Sequence, residues 1–368
     1  MLPTFAEINL SNLKYNFLNI RKKVKNSKVM AVVKANAYGH GMMECVKYLS
    51  RLPDKPEYYG VTFLEEAIEL RKAKVAEPIL VFTPIYNSNV NDYFKYDVIP
   101  TIFTKAHIDL IKQICNGRKM KVHIKIDTGM GRLGVRYDEA FEFIKYFLSQ
   151  KDFILDGIYS HFSTSDEANK EFARLQLKRF KDILEELRRR KINYGLAHIA
   201  NTGAILDMPE SYLDMVRPGI SLYGYYPSRE TSESFKLKPA MSLITHVSAV
   251  KKIKKGESVS YGRKFIAPKN TRIAIAPFGY AGGYFRALSN NIHGIINGKK
   301  YKQIGQICMD LVMFDIGKDK INTGDKIILI GKQKKSEINI WDWTETLSTI
   351  PYEIMCNFCP GIPRIFIE

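Results

Sequence analysis

Lys34 stands at the end of an apolar, β-branched run, VMAVV at residues 29–33, and is followed by ANAYGHG. Such a run reads as a buried parallel strand. A lysine at its tip has two readings. In one it snorkels to solvent along the strand end. In the other, apolar surroundings keep its amine neutral, and it forms a Schiff base with a carbonyl compound. What else lies at the same level of neighbouring strands decides between them.

Further strand-like runs cover residues 58–62, 79–83, 98–103, 121–126, 155–160, 196–200 and 216–222. The fifth of the eight runs leads into DTGMGRLG, with Arg132 in a Gly-rich loop. The sixth ends in YSHF, with His161, and the seventh in HIANTGA, with His198, Asn201 and Thr202. The eighth is VRPGISLYG, with Arg217 and Gly219. Any one of these alone is more often structural, and a strand-end arginine usually pairs with an acid. Together they suit an anionic ligand that carries a carbonyl. The Thr202 hydroxyl and the N–H groups of Gly203, Gly219 and Ile220 can cradle a phosphate. Lys34 can take the carbonyl carbon. A phosphorylated aldehyde held through a lysine is pyridoxal phosphate.

The elements that must position these groups follow from the pattern. The eight runs alternate with amphipathic stretches, best seen in FLEEAIELRKA and EANKEFARLQLKRFKDILEELRRRKI. That alternation predicts an α/β fold, a (β/α)8 TIM-type barrel, whose chemistry sits at the C-terminal strand ends. An open doubly wound sheet is the alternative. LSNLKYNFLNIRKKV reads as a first helix with Ser11 as N-cap. A polar stretch, PSRETSESFKLKP at residues 227–239, breaks the pattern. Beyond it come short β runs, with a hairpin signal at Asn297–Gly298. Two domains are expected: a barrel over residues 1–230 and a mostly β domain over 231–368.

Composition narrows the classes. The chain has 368 residues and a formal net charge of +18, but its Lys and Arg are spread over helix faces such as LEELRRRK. No RNA-binding motif accompanies them, so an anionic small ligand is expected and nucleic acid is not. There is no apolar run long enough to span a membrane, and the N-terminus lacks the apolar core of a signal peptide. Five cysteines, an odd and sparse set, fit a reducing cytoplasm. Cys356 and Cys359 form a lone CxxC without a second pair, which reads as two packed thiols and no metal site.

AVVKANAYGHG, KIDTGMGRLG, HIANTGA, VRPGISLYG, VSYGRKF, GQICMD and TIPYEIMC together carry a resemblance. The chain resembles the alanine racemases, pyridoxal-phosphate enzymes built from a barrel and a β domain. The resemblance runs from AEINLSNLKYN to IPRIF. It implies that Lys34 is the Schiff-base lysine and that Tyr38 lies against the cofactor near its phosphate. Asn201, Thr202, Gly219, Ile220 and Tyr352 line the phosphate site, and Arg217 meets the pyridine nitrogen. Tyr261, from the partner subunit of a homodimer, is the second base, backed by His161. Arg132 and the partner's Met309 backbone face the substrate carboxylate. Lys125 matches a lysine often carbamylated in the family, which holds Arg132 in place. The implied activity is two-base interconversion of L- and D-alanine on a pyridoxal-phosphate aldimine, supplying D-alanine for peptidoglycan.

The chemistry is coherent. A proton must leave one face of Cα and return to the other, so two bases are needed. A free phenol is a weak base at neutral pH, so Tyr261 needs support from His161 and cationic Arg217. Arg217 does not surrender its proton. Opposite the pyridine nitrogen it leaves the ring a weaker electron sink than an acid would. Read by themselves, Tyr261 is a turn tyrosine, Met309 fills space and Tyr352 is half-buried; only the resemblance assigns them roles. The chain departs from the family at Thr202, where a serine is usual, and at Gly282 in GYAGG, where an acid is usual. It departs also at Gln306, where an arginine is common. With Tyr280 and Arg286, the last two lie near the family's substrate entrance. Other readings therefore stay open: a racemase of serine or basic amino acids, a decarboxylase on the same fold, or a non-catalytic carrier of the cofactor.

Overall fold

Eight parallel strands form a ring in the computed structural model, which describes residues 3–358 and 361–368. In order they are Lys28–Val32, Tyr58–Val61, Ile79–Pro84, Ile99–Ile102, Met120–Asp127, Phe153–Tyr159, Leu196–His198 and Met215–Val216. Each pairs with the next up to the seventh, and the eighth pairs with the first. The seventh and eighth are joined by two backbone bonds, Asp214 N–H to the Ala197 carbonyl (3.1 Å) and Arg217 N–H to the Ala200 carbonyl (2.9 Å). The ring is therefore a (β/α)8 barrel, as the alternation predicts. The open sheet is excluded because the two end strands of that pairing order, the seventh and the eighth, are joined by those bonds.

The strands form because their residues are β-branched and apolar, and Val29, Ala31, Val81, Ile124 and Ile158 are fully buried. Each large side chain so buried contributes about 1.5–3 kcal/mol. The helix Glu171–Arg189 closes the outside of the barrel with a stripe of buried Leu177, Phe180, Leu184 and Leu187, its charges facing outward. One expected strand is cut short. The run expected over residues 216–222 ends at Val216, because Pro218 has no N–H for a ladder; Ile220–Tyr223 is a 3-10 turn instead.

The second unit is mostly β and takes in the N-terminal residues through Leu13, Tyr38–Gly41 and Pro239–Glu368. Its first strand, Thr4–Asn9, pairs antiparallel with Met241–His246 and parallel with Arg364–Ile367. The start of the chain thus belongs with its end, which hydrophobic periodicity cannot show. The helix Leu10–Val24 follows at once. Its cap is Asn9, whose Oδ1 accepts the Asn12 N–H at 2.7 Å. Ser11, the cap expected from sequence, lies inside the first turn, because the strand delivers Asn9 two positions earlier. The Asn297–Gly298 turn joins His293–Ile296 to Lys299–Lys302, with φ of 54° and 88° at the two turn residues. Both positive angles are what a type I′ hairpin requires. Cys356 is exposed, so it is no packed thiol, and its expected companion Cys359 lies outside the described residues.

The chain leaves the first barrel strand in an uncommon conformation. Ala35, Asn36, Ala37 and Tyr38 have φ of 52°, 52°, 55° and 53°. Left-handed backbone costs a non-glycine residue about 1–2 kcal/mol, so four in succession persist only where neighbours overdetermine them. They do. Glu66 Oε1 accepts the Ala35 N–H at 2.7 Å, and Glu66 Oε2 holds the Thr62 and Phe63 N–H groups. The Ala37 N–H reaches the Val33 carbonyl (2.8 Å), and Asn36 Oδ1 accepts the Met42 N–H (2.8 Å). Ala35 is exposed, so its strain can be tested alone. Ala35→Gly is expected to raise stability by about 1 kcal/mol in denaturant melts, and Ala35→Val to lower it.

Candidate active site

Arg217 is the centre of the barrel's chemically loaded end. It follows the eighth strand and is only 4% exposed. A guanidinium has five donors and no acceptor, so its burial demands acceptors, and four converge. Nη2 donates to the carbonyls of Ser160 (2.7 Å) and Ile199 (3.1 Å) and meets His161 Nδ1 at 3.2 Å. Nη1 meets His198 Nδ1 at 2.7 Å. Both imidazoles must accept there, so both are neutral. Burial and the adjoining cation push both histidines well below their ordinary pKa. Burial also pulls Arg217 down to about 10, which still leaves it a cation at neutral pH.

Tyr159, at the end of the sixth strand, is the platform under these groups. Its ring stacks on His198 at 4.9 Å with 3° between the planes. The Arg217 guanidinium lies over it at 5.3 Å and Lys125 Nζ at 5.4 Å. The strand register explains the grouping: Lys125, Tyr159 and His198 are lateral partners on three adjacent strands. Lys125 is nearly buried among cations. Burial, then Arg132, Arg217 and Lys34, bring its amine down to about 7.

Arg132 sits in the loop after the fifth strand and is exposed. Asp127 shapes that loop, its carboxylate accepting the N–H groups of Gly129 (2.9 Å), Gly131 (3.1 Å) and Arg132 (3.2 Å). Lys34 is half-buried and close enough to weigh electrostatically on both Lys125 and His161. Thr202 opens the short helix Thr202–Asp207, with Asn201 as its cap: Oδ1 accepts the Ala204 N–H at 3.2 Å. Thr202 Oγ1 receives the Gly219 N–H at 3.1 Å and lies 3.1 Å from Ser221 Oγ. The first N–H groups of this helix, and of the turn that begins at Ile220, have no intrahelical acceptor. Asn201 takes the Ala204 N–H and Thr202 the Gly219 N–H, so the Gly203 and Ile220 N–H groups are the donors left for an anion.

The remaining expected residues lie in the β unit. Tyr38 is buried, its ring 5.9 Å from that of Tyr352. Tyr261 is 71% exposed. It tips the short hairpin of Ser258–Val259 and Phe265–Ile266, on a turn with positive φ at Ser260, Gly262 and Arg263. Ser260 Oγ anchors that turn on the Gln306 carbonyl at 2.6 Å. Met309 is exposed, and its carbonyl accepts the Ala281 N–H at 3.0 Å. At Gly282 a Cβ would come within 2.5 Å of Phe278 Cε2, so a larger residue there needs that ring to move.

Sequence reasoning did not single out Glu66, His123, Tyr159 or Asp156. For His123 a signal existed. In VHIKID, His123, Lys125 and Asp127 alternate, which puts them on one face of a strand. For Glu66 and Asp156 there was none, because their partners are set by tertiary structure.

A closed parallel barrel with a half-buried lysine and a caged arginine at one end has the architecture of a (β/α)8 enzyme, whose chemistry sits at the C-terminal strand ends. The comparisons specify the family. The model of the alanine racemase N-terminal domain matches residues 8–227, and that of the C-terminal domain matches residues 240–366. Alanine racemase 2 of Caldanaerobacter subterraneus subsp. tengcongensis is 41% identical, over 99% of this chain and 95% of its own length. Alanine racemase 1 of Clostridium acetobutylicum is 39% identical, over 100% and 96%. The solved alanine racemase of Clostridium difficile superposes with a TM-score of 0.94 at 34% identity, covering 100% of this chain and 96% of that one. That of Bacillus anthracis with bound L-Ala-P gives 0.92 at 33%, again over 100% and 96%. The chain belongs to the alanine racemase family, whose members are pyridoxal-phosphate-dependent isomerases.

The depressed Lys125 amine makes stability depend on pH. Below about pH 7 both folded and unfolded chains are protonated at this site, and the folded state carries the full penalty. As pH rises from about 7 towards 10.5, the folded state sheds the proton first, so its stability rises. Lys125→Met removes the group. Urea melts in carbon-dioxide-free buffer are expected to show the variant more stable than the parent near pH 7. The difference should narrow as the pH approaches about 10.

Proposed function

We propose that this chain interconverts L-alanine and D-alanine with pyridoxal 5′-phosphate as coenzyme, the D-alanine serving peptidoglycan synthesis. The observation that carries the reading is the convergence of Lys34, Lys125, His161, Thr202 and Arg217 at one end of the barrel unit, in a chain of this family. The donor set fits the coenzyme. Lys34 has the amine for its aldehyde. Thr202 Oγ1 and the N–H groups of Gly203 and Ile220, with Asn201 setting the turn and the Gly219 N–H orienting the Thr202 hydroxyl, suit its phosphate. By the family resemblance, Tyr38 and Tyr352 also serve the phosphate. When bound, the coenzyme supplies electron withdrawal from the substrate Cα.

The chain's own residues do the rest. Lys34 Nζ removes or returns the Cα proton on one face. Tyr261 Oη of the partner subunit does so on the other. His161 Nδ1 is taken up by Arg217, which leaves Nε2 to support the tyrosine. Arg217, fixed by four acceptors, presents a donor to the ring nitrogen and cannot give its proton away. It thereby limits charge build-up on the ring and favours prompt return of the proton. Arg132 and the backbone of Met309 of the partner subunit hold the substrate carboxylate. The Lys125 amine, down at about 7, is neutral often enough near neutral pH to add carbon dioxide. Carbamylation would turn a cation beside Arg132 into an anion and hold Arg132 in place.

A homodimer with shared sites follows from the same reading. Tyr261, Ile266, Tyr280, Met309 and Leu311 expose large apolar surface in the β unit, which supports a covering partner. The odd and sparse set of five cysteines supports a reducing cytoplasm. A second reading, wider specificity towards serine or basic amino acids, is favoured by one observation: the acid usual at position 282 is replaced by a glycine packed under Phe278.

The protein loaded with pyridoxal phosphate is expected to be yellow and to bleach with borohydride. Lys34→Ala should be colourless and lose at least about 10³-fold in alanine racemisation; a colourless parent refutes the coenzyme reading. Mixed Lys34→Ala and Tyr261→Ala proteins, under exchanging conditions, should recover activity that neither has alone. A panel of L-amino acids decides between strict and wide specificity, turnover of alanine alone excluding the latter.

A further inference from the structure

Behind Arg217 a file of buried polar side chains runs through the barrel core. His198 Nδ1 faces Arg217 Nη1 at 2.7 Å, and His198 Nε2 is 2.9 Å from His123 Nδ1. His123 Nε2 is 3.2 Å from Asp156 Oδ2, and Tyr58 donates its hydroxyl to the same oxygen at 2.9 Å. Both imidazoles are wholly buried. The Asp156 side chain keeps 19% exposure.

Counting donors leaves one arrangement. Arg217 can only donate, so His198 Nδ1 accepts and its proton is on Nε2. That proton must go to His123 Nδ1, which puts the His123 proton also on Nε2. The last proton goes to the Asp156 carboxylate, which accepts from His123 and Tyr58. Every bond points the same way, from the guanidinium to the carboxylate, with two neutral rings between. Burial and the nearby Arg217 keep His123 neutral against the pull of Asp156. Reversing either ring would set two donors face to face in a dry core, at a cost of about 1–3 kcal/mol.

The backbone is shaped to make this file. Val122 pairs with Leu155 but His123 pairs with Gly157, so Asp156 is an extra residue, a β-bulge in the sixth barrel strand. Bulges re-aim side chains and occur beside active sites. Here the bulge brings the carboxylate to His123. Gly157 then leaves room for the ring: a Cβ there would lie 2.6 Å from His123 Cε1 and 2.8 Å from its Nδ1.

We propose that Asp156 is a positioning residue for the reaction, which through His123 and His198 fixes the acceptor nitrogen that holds Arg217 at the coenzyme end of the barrel. The inference rests on the reading of Arg217 as partner of the coenzyme's ring nitrogen. With the carboxylate gone, the two rings are no longer obliged to keep their protons on Nε2. Arg217 then loses its best-placed acceptor and its fixed orientation.

The test has a readout that needs neither coenzyme nor activity. In the coenzyme-free dimer, 15N spectra of labelled histidine are expected to show both His123 and His198 neutral, with the proton on Nε2. Asp156→Leu should convert one or both to mixed tautomers. Asp156→Asn, which keeps an acceptor oxygen and is the milder change, should hold the tautomers but shift the deshielded His123 Nε2–H proton upfield. With coenzyme and alanine, Asp156→Leu should lower kcat roughly tenfold with KM little changed. It should also raise the fraction of turnovers that leave the coenzyme in its amine form, and Asp156→Asn should restore most of the rate. A proton on His198 Nδ1 in the parent overturns the proposal. So do parent-like spectra in Asp156→Asn, or in Asp156→Leu if it folds. A parent that shows the expected tautomers but does not racemise alanine refutes the functional reading and leaves the hydrogen-bonded file standing.

Discussion

A guanidinium buried inside a barrel must be fully met by acceptors, and much of this molecule's site answers that demand. Arg217 takes the carbonyls of Ser160 and Ile199 and the ring nitrogens of His161 and His198. Leaving any of its donors unpaired there would cost far more than the net gain of an ordinary hydrogen bond. The demand propagates. It makes two histidines neutral acceptors, orients a third ring behind them, and places Tyr159 beneath both the guanidinium and the Lys125 amine. It also adds to the positive charge near Lys125, whose proton is held weakly because of burial first and then Arg132, Arg217 and Lys34.

A second constraint acts at Lys34. The strand that carries it is driven by burial and needs no special explanation. The turn that follows does, since four residues in left-handed backbone oppose folding locally. Glu66 and Asn36 spend their side-chain oxygens on that turn. The strain is local, but the groups that hold it come from a helix thirty residues later and from the loop itself. Strain of this kind gathers where a side chain must be presented in one direction, and here that side chain is the lysine just before the turn.

Much of the barrel was legible in the sequence. Parallel strands buried on both faces read as unbroken apolar runs, and the helices between them carry a clear 3.6-residue stripe. The residues after each run could be read off as well, so Lys34, Arg132, His161, Thr202 and Arg217 were placed at one end from periodicity alone. The limits were equally physical. The apolar run continues past Val216 and so reads as a longer eighth strand than the ladder, which Pro218 ends. Asn9 displaced Ser11 as helix cap because the preceding strand sets where the helix begins.

What the amino-acid sequence determined by itself was local: which runs are strands, which faces are apolar, and which chemical groups end each run. Tertiary structure decided everything that depends on partners far apart in the chain. The pairing of Thr4–Asn9 with Arg364–Ile367, the grip of Glu66 on Ala35, and the bulge that aims Asp156 at His123 are of this kind. None leaves a periodic signature, because each joins residues whose spacing in sequence bears no relation to their spacing in space. The protonation of the site belongs there too: a histidine's or lysine's charge is set by burial and neighbouring cations, and these exist only once the barrel has closed.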